Sequence, residues 1–233
     1  MTEALHRAPG REGVSSHLRP GLLLVALVSL LVFGADTIAA LYATYLPFDI
    51  PVERAVQAVP WGPAIGIFSF FDWLEGLRQL AAAGAGILLV LILNRRAVLL
   101  MIFGALSGTA YTVVQALVHR PRPDAGLVHV IRHTGNFSFP SGHVVFFTWF
   151  LTLLILCLAV RYLPRPALTG LWVVAALILL TVAIGRVYDG EHWPSDVLGG
   201  FSLGVGWTAL GLSIRWLSDP VFERSAKRPI LAA

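Results

Sequence analysis

The feature that most constrains this chain is a series of six apolar stretches, at roughly 21–46, 77–94, 97–118, 142–161, 166–186 and 195–216. A helix needs about 20 mainly apolar residues to cross a hydrocarbon core. Such a segment satisfies its own backbone N–H and C=O groups, which lipid cannot do. The expected class is therefore all-α, a membrane bundle of six transmembrane helices with both termini cytoplasmic, in a single domain over 1–233. The second stretch is the least apolar at its start, where it carries Arg78 and Gln79.

Composition supports this reading. Hydrophobic residues make up 57% of the chain and charged residues 13%, against about 45–50% and about 25% in soluble domains. A net charge of +4 does not point to nucleic acid, because the basic residues sit in short turns such as "NRRA" at 94–97 and "RYLPRPA" at 161–167. With an inside N-terminus, eleven of the seventeen Lys and Arg residues fall on the cytoplasmic side: Arg7, Arg11, Arg19, Arg95, Arg96, Arg161, Arg165, Arg215, Arg224, Lys227 and Arg228. That is the positive-inside bias. Arg54, Arg78, Arg120, Arg122, Arg132 and Arg186 remain outside, and an anion to bind is a reason to keep them there. The N-terminus resembles a signal peptide but has no clear small-residue cleavage site, so an uncleaved first helix is expected. The chain then divides into a cytoplasmic segment 1–20, an extracytoplasmic interfacial segment 47–76 rich in Trp, Phe and Pro, a motif region 115–196 and a cytoplasmic tail 217–233. Cys157 is the single cysteine and reads as a small core residue.

Three segments should meet on the outer face: "QALVHRPRPD" at 115–124, "FPSGHVV" at 139–145 and "GRVYDGEHWPSD" at 185–196. In "PSGH", Ser141 suits an N-cap and Gly142 leaves the first helical N–H groups open to an anion. In "HWPSD", Pro194 suits the first helical turn, with His192 just before the helix and Asp196 inside its first turn. Asp196 there can hold one ring nitrogen of His192 as a donor, leaving the other as nucleophile or base. Arg122 and Arg186 are planar, permanently charged forks for phosphate oxygens. This set suits phosphoryl transfer, which depends on positioning and on neutralising oxygen charge.

In these motifs the chain resembles the type 2 phosphatidic acid phosphatase superfamily, which includes the vanadium-dependent haloperoxidases. The family pattern is Lys, six residues, Arg-Pro; then Pro-Ser-Gly-His; then Ser-Arg, five residues, His, three residues, Asp. Arg122-Pro123, Pro140-Ser141-Gly142-His143 and Arg186, His192, Asp196 match in order and spacing. Gly185 stands for the family Ser and Gln115 for the family Lys. The resemblance implies His192 as nucleophile, Asp196 as its orienting group and His143 as acid and base. It implies Arg122, Arg186, Ser141 and Gly142 as phosphate ligands, with Gln115 and Arg120 standing where the family Lys supplies charge. It implies no metal or other cofactor, a membrane lipid phosphate as substrate, the lipid bilayer as surroundings and no nucleic-acid partner. No motif sets an oligomeric state. The expected setting is a bacterial cytoplasmic (inner) membrane with the active site facing outside. Isoprenoid diphosphates, phosphatidic acid and phosphatidylglycerol phosphate are the candidate substrates. A lipid phosphotransferase, a vanadate-dependent oxidoreductase and a non-catalytic lipid-binding or transport protein are the alternatives.

Other residues carry plainer expectations. Asp189 and Glu191 read as solvated rim residues, and Arg132 as a headgroup or substrate contact. His119, His129 and His133 with Asp124 read as a solvated loop before a metal site. Asp36, inside the first stretch, calls for a structural partner or an interfacial position. "GALSG" at 104–108 and "GFSLG" at 200–204 suit close helix packing.

Overall fold

The computed structural model describes residues 17–222. Among them the chain is helical, with one isolated bridge between Leu18 and Ile214. α1 (Pro20–Tyr42) opens on a proline in its first turn, where the missing N–H costs nothing. Two short helices follow, α2 (Asp49–Gln57) and α3 (Ala64–Trp73). α4 (Leu77–Asn94) ends where Asn94 leaves helical geometry at φ −148°, ψ 62°. The chain then doubles back through α5 (Val98–Ala105) and α6 (Ser107–Val118), so that the space beside Gly86 is bounded by Met101. His119, at a left-handed φ of 53°, ends α6 ahead of Pro121. α7 (Gly142–Leu154) runs through a wider turn at Ile155–Ala159 into α8 (Val160–Tyr162). α9 (Arg165–Tyr188), α10 (Pro194–Ser213) and α11 (Arg215–Phe222) complete the described residues.

Four helical stretches are long and apolar enough to cross a membrane: Pro20–Tyr42, Leu77–Val118, Gly142–Ala159 and Arg165–Tyr188, with mean hydropathies of 2.1 to 2.5. The expected six are thus met in part. The 42-residue stretch Leu77–Val118 contains two of them, folded back at Asn94. The sixth coincides with α10, which is long but too rich in glycine, serine and threonine to reach the same hydropathy. Arg7, Arg11, Arg224, Lys227 and Arg228, used to orient the chain, lie outside the described residues.

α10 is the central helix, packed on α1, α7, α5 and α9. Its glycines explain why it can be central. A side chain on Gly200 would lie 2.6 Å from the Ser141 carbonyl, and one on Gly204 2.6 Å from Thr148. Gly206 admits Leu30 of α1 and Gly211 admits Phe103 of α5. Small residues let helix backbones approach where lipid supplies no hydrophobic drive. "GFSLG" therefore packs as expected, and Gly104 of "GALSG" does so against Trp149 and Leu153, while Gly108 faces open space. Asp36 also faces α10, its Oδ2 next to Gly199 and without a hydrogen-bond partner.

The ends of the bundle differ in character. At one end Asn94 donates to the Cys157 carbonyl at 2.8 Å, and Arg19 pairs with Asp219. The other end is closed by α2, α3 and the irregular segment 119–141. Arg54 of α2 donates to the Leu127 carbonyl, and Gln57 donates to and accepts from the backbone of His129. The segment 47–76 thus does more than line an interface: Asp49, Glu53 and Asp72 are all buried in the protein.

Candidate active site

The three motif segments meet at this closed end. α10 begins at Pro194, and the Asp196 carboxylate caps it, Oδ2 accepting from the Trp193 N–H at 2.8 Å. His192 is therefore presented just ahead of the helix, 3% exposed. Its Nδ1 lies 2.7 Å from the Ser138 carbonyl oxygen and 3.8 Å from Asp196 Oδ2. A carbonyl can only accept, so Nδ1 carries the hydrogen and Nε2 is the basic nitrogen. This corrects the expected hydrogen bond to Asp196: at 3.8 Å the carboxylate acts on the ring through charge. Burial lowers the His192 pKa and outweighs the opposing pull of Asp196, which favours the neutral ring.

The other Asp196 oxygen meets Arg120 Nη1 at 2.5 Å. Arg120 also reaches Asp49 Oδ2 at 3.0 Å, Ser195 Oγ at 2.8 Å and the Thr44 carbonyl at 3.1 Å. The Arg120, Asp49 and Asp196 side chains are wholly buried. Arg120 is thus not the supplementary phosphate ligand expected from sequence. Its guanidinium is consumed beneath the site, because Asp49 and Asp196 already fill its fork.

Arg122 and Arg186 part company. Arg122 donates to the Glu191 carbonyl at 2.5 Å, to Asn136 Oδ1 at 2.5 Å and to the Asn136 carbonyl at 3.0 Å, and it lines the cavity. Arg186 is wholly buried among Asp72, Glu191 Oε2 at 2.6 Å and Asp189 Oδ2 at 3.5 Å, and it does not line the cavity. The reason is local. Gly190, at φ +69°, turns the chain after α9 so tightly that a side chain there would meet the His129 carbonyl. That turn folds Asp189 and Glu191 back onto Arg186, so neither is a solvated rim residue. Arg132, its side chain 38% exposed, completes the cluster on Asp72 and Glu191. Burial raises the Asp189 carboxyl to about 6 despite Arg186. Burial also pushes Glu191 up, but Arg186, His192, Arg122 and Arg132 together hold it below the usual range.

Ser141 occupies the N-cap position of α7, yet its Oγ caps nothing and has no partner. Gly142 begins the helix under the Tyr111 ring. His143 follows, 8% exposed, with Nε2 unpartnered. Gln115 does not enter the cavity: its Nε2 donates to Tyr111 Oη at 2.8 Å and to the Phe137 carbonyl at 2.9 Å. Its amide is spent within the protein, which corrects its expected role as a direct phosphate ligand.

The cavity measures about 970 Å³. Arg122, Glu191, His192, Gly142 and His143 line it, together with Gln79 and Thr109 and with the apolar Leu80, Ala83, Ala105, Val145, Phe146 and Trp149 of α4, α5 and α7. One pocket therefore holds two imidazoles, one guanidinium and an apolar wall. His119, His129 and His133 are exposed in the irregular segment, where helical spacing has no meaning. Among the described residues no group of three or more His, Cys, Asp or Glu side chains is placed to hold a metal ion.

Reading the motifs missed Asp49, Asp72, Ser138, Asn136 and Tyr111. The two acids carried a signal, since each is a charge in an aromatic and apolar segment; the Ser138 carbonyl carried none.

Apolar helices of membrane length, with a cavity lined by both charged and apolar side chains, define an integral membrane protein that is helical throughout its described residues. The chain belongs to the PAP2 superfamily, whose sequence model matches residues 80–219. It is 37% identical over 110 residues to phosphatidylglycerophosphatase B of Bacillus subtilis (strain 168), covering 46% of this chain and 51% of that one. It is 34% identical over 80 residues to undecaprenyl-diphosphatase of Sulfolobus acidocaldarius, covering 34% of each. The chain thus spans about half the length of the first relative and a third of the second. Its fold resembles the crystal structure of a transmembrane PAP2-type phosphatidylglycerolphosphate phosphatase from Bacillus subtilis. The TM-score is 0.64 at 23% identity, over 79% of this chain and 92% of that one.

Proposed function

We propose that the protein is an integral membrane lipid phosphatase. It hydrolyses a phosphomonoester or diphosphate of a membrane lipid through a phosphohistidine intermediate, at the extracytoplasmic face of a six-span bundle. The observation that carries this reading is the shared cavity: His192 and His143 line the same pocket as the apolar wall of α4, α5 and α7, so a phosphate head and a lipid tail fit one space. Phosphatidylglycerol phosphate, phosphatidic acid and isoprenoid diphosphates all have that shape, and the two named relatives support the class.

The chemistry follows from the proton positions. His192 Nε2 attacks phosphorus while Nδ1 stays bonded to Ser138. The phosphorus–oxygen bond to the lipid breaks, and protonated His143 Nε2 gives its hydrogen to the leaving oxygen. Water then attacks the phosphohistidine as His143 takes the water's proton, releasing phosphate and restoring both imidazoles. Arg122, Ser141 Oγ and the N–H groups at the start of α7 neutralise the phosphoryl oxygens. Arg186 lies one carboxylate behind them, on Glu191.

The test is phosphate release from vesicles or micelles carrying each lipid phosphate, with wild type and His192→Ala. Activity lost in His192→Ala, with acid-labile phosphate trapped on wild type by rapid quench, is expected. A His192→Ala protein of near-normal activity overturns the mechanism, and absence of release from every lipid phosphate overturns the function.

A further inference from the structure

We infer that the Tyr111 hydroxyl is a phosphate-binding donor of this site and that Gln115 positions it. The inference rests on the proposed phosphatase reading and asks how the site answers the loss of the lysine that the motif pattern places at 115. The structure shows that Gln115 does not replace that lysine directly.

Hydrogen accounting leads to Tyr111. The Phe137 carbonyl can only accept, so the Gln115 atom 2.9 Å from it is the amide nitrogen. The same nitrogen lies 2.8 Å from Tyr111 Oη, so the hydroxyl accepts there. Its own hydrogen is then uncommitted, with no second partner for Oη among the described residues. The ring position says where that hydrogen can go. A side chain on Gly142 would lie 2.8 Å from Tyr111 Cζ and 3.1 Å from Oη, so the phenol stands over the first residue of α7. Tyr111, Gly142, His143, Arg122 and His192 line one cavity. A phosphoryl group at the start of α7, within reach of His192, has the Tyr111 hydroxyl beside it. Accepting a hydrogen bond from Gln115 polarises the hydroxyl and strengthens it as a donor. The site therefore uses a neutral, oriented O–H where its relatives' pattern uses an ammonium, and Gln115 acts one bond away.

The experiment compares wild type, Tyr111→Phe, Gln115→Leu and the double variant in one detergent. It measures kcat and KM on the best lipid phosphate, and inhibition by inorganic vanadate, a mimic of the five-coordinate phosphorus. Tyr111→Phe keeps the ring over Gly142 and removes only the donor. Its kcat/KM should fall and its vanadate inhibition constant should rise by about 10- to 100-fold, the size of one hydrogen bond to a charged group. Gln115→Leu should lose less, and the double variant should be no worse than Tyr111→Phe alone. Should Tyr111→Phe not fold, Gln115→Leu, with Tyr111 intact, carries the test through the same two constants. Wild-type activity abolished in His192→Ala, with Tyr111→Phe within twofold of wild type on both constants, overturns this inference and leaves the phosphatase reading standing. Additive losses in the double variant overturn the positioning role of Gln115. A wild type that neither releases lipid phosphate nor binds vanadate overturns both.

Discussion

Replacing Arg120 with methionine separates its observed position from the role its sequence context suggests. In the structure the guanidinium bridges Asp49 and Asp196, at 3.0 and 2.5 Å, with all three side chains inaccessible to solvent. Arg120→Met fills most of the volume but strands two buried carboxylates, in a region that already holds Asp36 and the buried, unpartnered Glu53. Breaking a buried ion pair by removing one partner costs about 3–5 kcal/mol. For a chain of this length each kcal/mol moves a melting midpoint by roughly 2–4 °C, so a fall on the order of 6–20 °C is expected. Asp219→Asn is the control: its pair with Arg19 is one-quarter to one-third exposed, and such pairs contribute roughly 0.2–1 kcal/mol. The assay is thermal unfolding of purified protein in one detergent at a fixed scan rate, since membrane proteins unfold irreversibly and the midpoint depends on the rate. An Arg120→Met midpoint within about 2 °C of wild type, no lower than that of Asp219→Asn, would refute the argument. If that protein also showed a raised KM, Arg120 would be a substrate ligand after all.

Three further outcomes are expected. In the proposed mechanism only neutral His192 attacks, and burial lowers its pKa, so the acid limb of kcat/KM should lie below the ordinary histidine value of about 6.5. Asp196→Asn removes a charge that raises that pKa, so it should move the limb lower still, and a limb above 6.5 would contradict the assigned environment. Burial, with Asp49 and Asp196 nearby, raises the Glu53 carboxyl to about 8 from an unfolded value near 4.5. Its contribution to stability is therefore full below about 4.5 and lost as pH rises to about 8; Glu53→Gln should raise the melting midpoint more at pH 8.5 than at pH 5, and equal shifts would show that Glu53 finds a partner. For sidedness, cysteines at exposed Ala125 and Arg96, in a Cys157→Ala background, should label with an impermeant reagent from outside and from the cytoplasm respectively; the opposite pattern would invert the proposed orientation. Gly190 is a poor reporter, because a side chain there meets the His129 backbone.

What the sequence determined by itself is whatever depends on neighbours along the chain. Helix placement is of this kind, since apolar length, the first-turn prolines Pro20 and Pro194 and the left-handed end at His119 all act within a turn or two. So is the layout of the motifs at helix ends, which put Gly142 and His143 at the start of α7 and His192 just ahead of α10. Length and hydropathy mark four helical stretches as able to cross a membrane. α10 trades apolar side chains for glycines that admit α1, α5 and α7, so it reads weakly as a membrane helix. The tertiary structure alone decided the partners of the charges. Arg120, Arg122 and Arg186 are alike in type and sit in equally suggestive motifs, yet only Arg122 lines the cavity. Asp49 is 71 residues from Arg120, and the Ser138 carbonyl is 54 from His192. A guanidinium bonds whichever acceptors the fold brings to it, and a backbone carbonyl has the same chemistry at every position, so neither choice leaves a mark in the local sequence.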